Sequence, residues 1–270
     1  MKRSKIKATR SALEFAYKFG FLTRHIFFDF ICCGSTATKY RNWKTLLIDR
    51  LFAESPMSKD ILFLTRKGLA QLGGQAVKNR VYHYIPHDEI VAKMLLVLEK
   101  TNLTISSWTE GELKASNWDT ISILGGENFE KLPDLVVDMK GSSRVVRIAV
   151  EVEATLKSRL RYDKIALSYR TMKNIDLIIF VTDSRAAELQ IKRAFNSEVF
   201  RKVGKIPAFI KAKDFSTHFL ESEVRIQDMR LTFKNFLAKV LQISAEQIVF
   251  KRESSENRFS AQKIEKEKSG

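Results

Sequence analysis

The stretch Val145-Val-Arg-Ile-Ala-Val-Glu-Val-Glu153, read with the Leu132-Pro-Asp134 step that opens the preceding apolar run, decides how this chain folds. Lys140-Gly-Ser-Ser-Arg144 separates the two runs, a turn composition between two β-rich segments, so they form a hairpin. Side chains alternate between faces along a strand. Arg147, Ala149, Glu151 and Glu153 therefore share one face, and Val146, Ile148, Val150 and Val152 the other. A pair of acids on a Val/Ile strand is costly to bury unless a cation meets it. Magnesium is held by one or two carboxylates, with water and substrate phosphate completing its shell, and that arrangement supports phosphodiester hydrolysis. Glu151 and Glu153 are accordingly candidate ligands of Mg2+. The competing reading is an exposed strand end whose acids pair with Arg147, Arg159 or Arg161.

Outward from the hairpin, residues 88–100 form an apolar helix and 104–108 a strand; a basic helix covers 157–170 and a continuous apolar strand 175–182. The order is αβββαβ, with amphipathic helices at 184–195 and 233–241 packing on the sheet. From about Lys251 to Gly270 the chain is charged and poor in apolar residues, the composition of a disordered tail. Gly73-Gly74 marks a boundary to a different pattern. Upstream of it, Ala12, Phe15, Ala16 and Phe19 form a helical stripe ended by Gly20, and Ile26, Phe27, Phe30 and Ile31 a second helix. A third opens at Ser35-Thr36 and sets Lys39, Arg41 and Lys44 against an inner face of Trp43, Leu46, Leu47 and Leu51. A hairpin follows over residues 51–68; Arg66 and Lys67 stand at the end of its second strand, and the stretch 63–72 resembles the end of a wing, where that strand runs into a final helix. This succession is that of a winged helix, with Lys39, Tyr40, Arg41 and Lys44 facing DNA from the recognition helix and Arg66 and Lys67 from the wing. A solvated basic face used for assembly is the plainer alternative.

Charge agrees with a polyanionic partner. The net charge is +16, and residues 1–80 hold sixteen Lys and Arg against five acids. The two cysteines, Cys32 and Cys33, are adjacent and cannot staple a fold, which suits a reducing cytoplasm. No apolar run reaches the length of a membrane span, and no phosphate-cradling glycine loop is present. His25, His83, His87 and His218 lack the spacing of metal-ligand pairs, so structural roles are expected of them.

With Pro-Asp on one strand and Glu-x-Glu on the next, this element order resembles the PD-(D/E)xK restriction-endonuclease-like superfamily. More narrowly, His87-Asp88, Trp108-Thr-Glu110, Leu132-Pro-Asp134, Val150-Glu-Val-Glu-Ala-Thr155 and Lys164-Ile-Ala-Leu-Ser-Tyr169, behind a winged helix, resemble the plasmid replication-relaxation proteins and MobC-type mobilisation relaxases. The likeness spans roughly residues 8–184. It implies an α+β protein of two domains, a winged helix over 1–74 and a nuclease-like αβββαβ core over 75–250, followed by the 251–270 tail. It further implies a nickase acting on double-stranded DNA at a transfer origin, with other mobilisation proteins or a second copy as partners. In that scheme Asp134 and Glu151 bind Mg2+, Glu153 binds it or orients water, Lys164 stabilises the phosphate, and Glu89 and Glu110 are outer acids. The superfamily pattern has Lys where this chain has Glu153, so a lysine must enter from the next helix, Lys164 or Lys157. Tyr162 and Tyr169 leave a tyrosyl intermediate open. The rival readings are a DNA-binding regulator with a decayed nuclease domain, and a structural partner that recruits a separate nuclease.

Overall fold

The computed structural model describes residues 2–73, 84–115, 117–126, 129–196, 205–214 and 219–249. His83, His218, Gly74 and the 251–270 tail lie outside the described residues. The first helix, α1 (Lys2–Phe19), starts well before the apolar stripe and ends at Gly20, whose φ of +80° suits a residue without Cβ. β1 (Leu22–Thr23) leads into α2 (Arg24–Ile26), which continues as a π-helical turn, Phe27–Ile31, so the expected second helix is present in two geometries. Ser35 caps α3 (Thr36–Ile48), accepting from Thr38 N at 3.3 Å. β2 (Phe52–Ser55) and β3 (Ser58–Leu64) form the hairpin, and the small antiparallel sheet has the order β1-β3-β2. Aromatic rings fill the space between these elements. Phe15 stacks on Phe19 at 4.7 Å and Phe27 tilts against Trp43 at 5.5 Å.

Arg66 and Lys67 are not on the second strand of the hairpin. β3 stops at Leu64 because Thr65 caps a further helix, α4 (Arg66–Ala70), its hydroxyl accepting from Gly68 N at 3.1 Å. Lys67 Nζ reaches back to the Asp49 carbonyl at 2.9 Å. The expected final helix is present, and it begins before Arg66 and Lys67 rather than after them.

The rest is one mixed sheet with helices on both faces, so the protein is α+β. Its elements are α5 (Ile85–Lys100), β4 (Thr104–Thr109), α6 (Glu110–Ala115), α7 (Asn117–Leu124), β5 (Leu135–Lys140), β6 (Val145–Val152), α8 (Arg159–Thr171), β7 (Leu177–Val181), α9 (Arg185–Phe195), β8 (Pro207–Ile210), β9 (Glu223–Ile226), β10 (Met229–Thr232) and α10 (Phe233–Leu241). The strand order is β10-β9-β8-β7-β6-β5-β4, parallel across β6-β7-β8 and antiparallel elsewhere. The αβββαβ order is present, with α6 and α7 inserted between its first two strands. One face carries Val137, Ile148, Val150 and Ile179, in an apolar cluster with Val91 and Leu95 of α5 and Phe233 of α10. The opposite face carries Val136, Ala149 and Phe180, clustered with Tyr162, Ile165 and Tyr169 of α8 and Ile191 of α9. The first cluster continues without a break into the aromatic core of α1–α3.

Candidate active site

The β5–β6 register pairs Leu135 with Val150 and Asp138 with Arg147. Asp134, one residue before β5, thus stands beside the end of β6, where its Oδ2 accepts from Val152 N at 2.8 Å. Glu151 lies opposite Phe180 on the central strand β7, and Glu153 N donates to Val181 O at 2.9 Å. Glu151 is 0% exposed, Glu153 1% and Asp134 8%. That burial removes the exposed-strand-end reading, and Arg147 is not available for it either. Its Nε and Nη2 grip Asp138 at 2.6 and 2.8 Å, a two-pronged pair across the hairpin, while Arg159 pairs with Asp163.

Buried carboxylates need partners, and here those partners are cations and a phenol. Lys131 Nζ sits between Asp134 Oδ1, at 3.2 Å, and Glu151 Oε2, with which it pairs directly, and also donates to the Leu132 carbonyl at 3.3 Å. His87 bridges Asp134 Oδ2 at 3.2 Å and Asp88 Oδ1 at 3.1 Å. Tyr169 OH, fully buried, donates to Glu151 Oε1 at 2.7 Å. Lys157 Nζ holds Glu153 Oε1 at 2.8 Å, whereas Glu153 Oε2 is buried with no hydrogen-bond partner among the described residues. Asp134, Glu151 and Glu153 are thus brought to one end of the sheet with Lys157. Lys164 is not. It is half-exposed, and its Nζ lies 3.7 Å from Glu130. Glu89 pairs with Lys93 at 2.8 Å and Glu110 with Lys114 at 2.8 Å. Glu110 still borders the site, since with His87, Asp88, Thr109, Asp134 and Phe19 of α1 it lines a small pocket.

Protonation follows from these contacts. Burial pushes Glu151 up to about 7 against the pull of Lys131, with the charge of Asp134 adding to the rise. Burial also raises Asp134, but the Lys131 ammonium and His87 outweigh it and hold Asp134 well below the usual carboxylate range. Burial lowers His87, yet its hydrogen bonds to Asp134 and Asp88 dominate and raise it to about 10, so it is an imidazolium at neutral pH. Burial raises Tyr169 well above an ordinary phenol, which keeps its proton on the bond to Glu151. Lys131 is held above an ordinary lysine, burial being outweighed by Glu151 and Asp134.

Among the described residues no three His, Cys, Asp or Glu side chains are arranged to hold a metal ion. Asp134 and Glu151 nevertheless converge on one cation, the Lys131 ammonium, and the unpartnered Glu153 Oε2 adds a buried acceptor beside them. These all-oxygen donors fit a hard divalent cation in the place of that ammonium.

No protein-family model, curated protein or solved structure matches the chain. No helix among the described residues is long and apolar enough to cross a membrane.

A second candidate surface lies on α3. Tyr40, Arg41 and Lys44 are exposed and Lys39 is half-buried; Arg66 and Lys67 are exposed on α4. The Arg24 guanidinium lies over Tyr40 and Trp43, 5.6 and 5.9 Å from their centroids, and Phe28 meets Tyr40 edge-on at 4.9 Å. Tyr40 is therefore braced by its neighbours.

Proposed function

We propose that the protein is a site-specific DNA nickase, a relaxase of a plasmid or mobile-element transfer origin, hydrolysing a phosphodiester at Asp134, Glu151 and Glu153. The observation that carries this reading is the convergence of three buried acids at one sheet end, across a β5–β6 pair laid beside the parallel strand β7. The helix-strand-helix-helix-hairpin order of α1 to β3, its β1-β3-β2 sheet and the basic outer face of α3 support a winged helix that docks the duplex. Asp134 and Glu151 would hold Mg2+ or Mn2+, which when bound supplies an acidified water and a polarised phosphate. Lys157 fixes Glu153, Tyr169 orients Glu151, and His87 fixes the second oxygen of Asp134. The buried, protonated Tyr169 favours water over tyrosine as the nucleophile. The test is relaxation of supercoiled plasmid carrying the element's own origin, with Mg2+ or Mn2+ and with EDTA. Wild type should nick only with the metal, and Asp134→Ala and Glu151→Ala should lose nicking by at least about a hundredfold while still binding DNA. Nicking that persists in EDTA or in these variants rejects the mechanism.

A specific observation favours a second reading. Lys131 already neutralises Asp134 and Glu151, as a structural ion pair in a decayed nuclease would, leaving a DNA-binding regulator of replication or transcription. Origin binding without nicking under any divalent ion would select it.

A further inference from the structure

We infer that Lys131 is a tethered cation that occupies the metal position between Asp134 and Glu151 and, on being displaced from it, turns its ammonium to the phosphate. The inference rests on the nuclease reading above and supplies the lysine that the Glu-x-Glu motif lacks. Three lysines flank the 134–153 hairpin in sequence. Lys164 is held away by Glu130, and Lys157 touches Glu153 alone. Lys131 alone of the three bridges Asp134 and Glu151, and its side chain is 12% exposed. Its three acceptors, Asp134 Oδ1, Glu151 Oε2 and the Leu132 carbonyl, match the three protons of an ammonium.

Charge decides that displacement accompanies metal binding. Asp88, Asp134, Glu151 and Glu153 face Lys131, Lys157 and His87, which leaves the cluster one negative charge from neutral when all are ionised. A divalent ion added to the full set would leave an uncompensated positive charge in a buried site. An ion that expels Lys131 leaves the cluster neutral. The displaced side chain has four methylenes of reach, and its backbone lies in the irregular segment before β5, outside any helix or strand. Expelled toward solvent at that sheet end, the ammonium meets the anion that approaches the metal.

The experiment measures Mn2+ affinity by calorimetry and nicking rate separately for the full-length wild type, Lys131→Met, Lys131→Gln and Lys131→Arg. Lys131→Met and Lys131→Gln should bind Mn2+ at least tenfold more tightly than wild type and nick at least a hundredfold more slowly, whereas Lys131→Arg should bind it no more tightly than wild type. Thermal midpoints accompany each measurement, and Mn2+ should raise those of the Met and Gln variants more than that of wild type. If neither neutral variant folds without metal, recovery of a cooperative transition on adding Mn2+ supports the inference, and failure to recover it overturns it. Unchanged or weaker Mn2+ affinity in the neutral variants overturns the competition, and wild-type nicking rates in them overturn the phosphate role. Wild type that binds Mn2+ but never nicks defeats the nuclease reading instead, while the affinity difference still reports on the lysine.

Discussion

At the scale of single residues, His87 gives the protein a pH signature. Its folded value near 10 lies above the ordinary 6.5 of an imidazole, so its proton stabilises the fold fully below about 6.5, and that contribution is lost as pH rises toward 10. Glu151, raised from 4.5 to about 7, acts in the same direction in a lower window: its contribution is fully present below about 4.5 and is lost as pH rises to about 7, where its charged form is buried. Asp134 has the opposite sign: its stabilisation holds above its ordinary value and disappears only in acid. The melting midpoint should therefore decline from pH 6.5 to 10, and His87→Gln should flatten that decline; an equally steep slope in the variant would show that His87 does not set it. The three acids were legible in the sequence because a period of two dictates which side chains share a face. Lys131 was not, since no periodicity relates it to a strand across Pro133. Lys164, five residues from Tyr169 and so about 140° around a helix of 3.6 residues per turn, lies against Glu130 while Tyr169 meets Glu151, a difference that the motif spacing does not display.

Elements impose their own constraint at α4. Gly68 packs so closely under Leu51 that a Cβ there would run into the Leu51 carbonyl and press the Leu64 side chain at 3.1 Å. Backbone oxygen cannot rotate aside. Gly68→Ala should thus pry α4 from the hairpin at a cost of about 1–3 kcal/mol, read by chemical denaturation. Under the proposed DNA-docking role, Arg66 and Lys67 ride on the displaced helix, so affinity for specific and random DNA should fall together. Loss of discrimination alone would mean that α4, not α3, reads bases. Helix and strand existence is legible here throughout, the final helix after the hairpin included; only its start is not, because a basic strand end and a capped helical turn share the same residues, and the Thr65 cap decides between them once Gly68 N is in place.

Where the sequence changes character, the parts on either side are packed against one another. Phe30 receives Lys100 Nζ at 4.8 Å, Lys18 pairs with Glu112 at 3.4 Å, and the apolar cluster under α5 runs on into the aromatic core of α1–α3. The composition shift at Gly73-Gly74 was visible; this shared core was not, because contacts between distant segments leave no local pattern. Full-length protein should consequently melt in one calorimetric transition, and two resolved transitions would show that the halves are independent. Removing residues 1–74 should leave an apolar face bare and promote aggregation. The parallel strands order events in time as well. A four-residue turn joins β5 to β6, so Asp134 and Glu151 can meet early, with Lys131 at hand, while both are still hydrated. β7 reaches β6 only after the chain has crossed over through α8, a slower closure. In that order of closure the acids would be paired before they are buried, sparing the folding chain the cost of carrying bare carboxylates into its core.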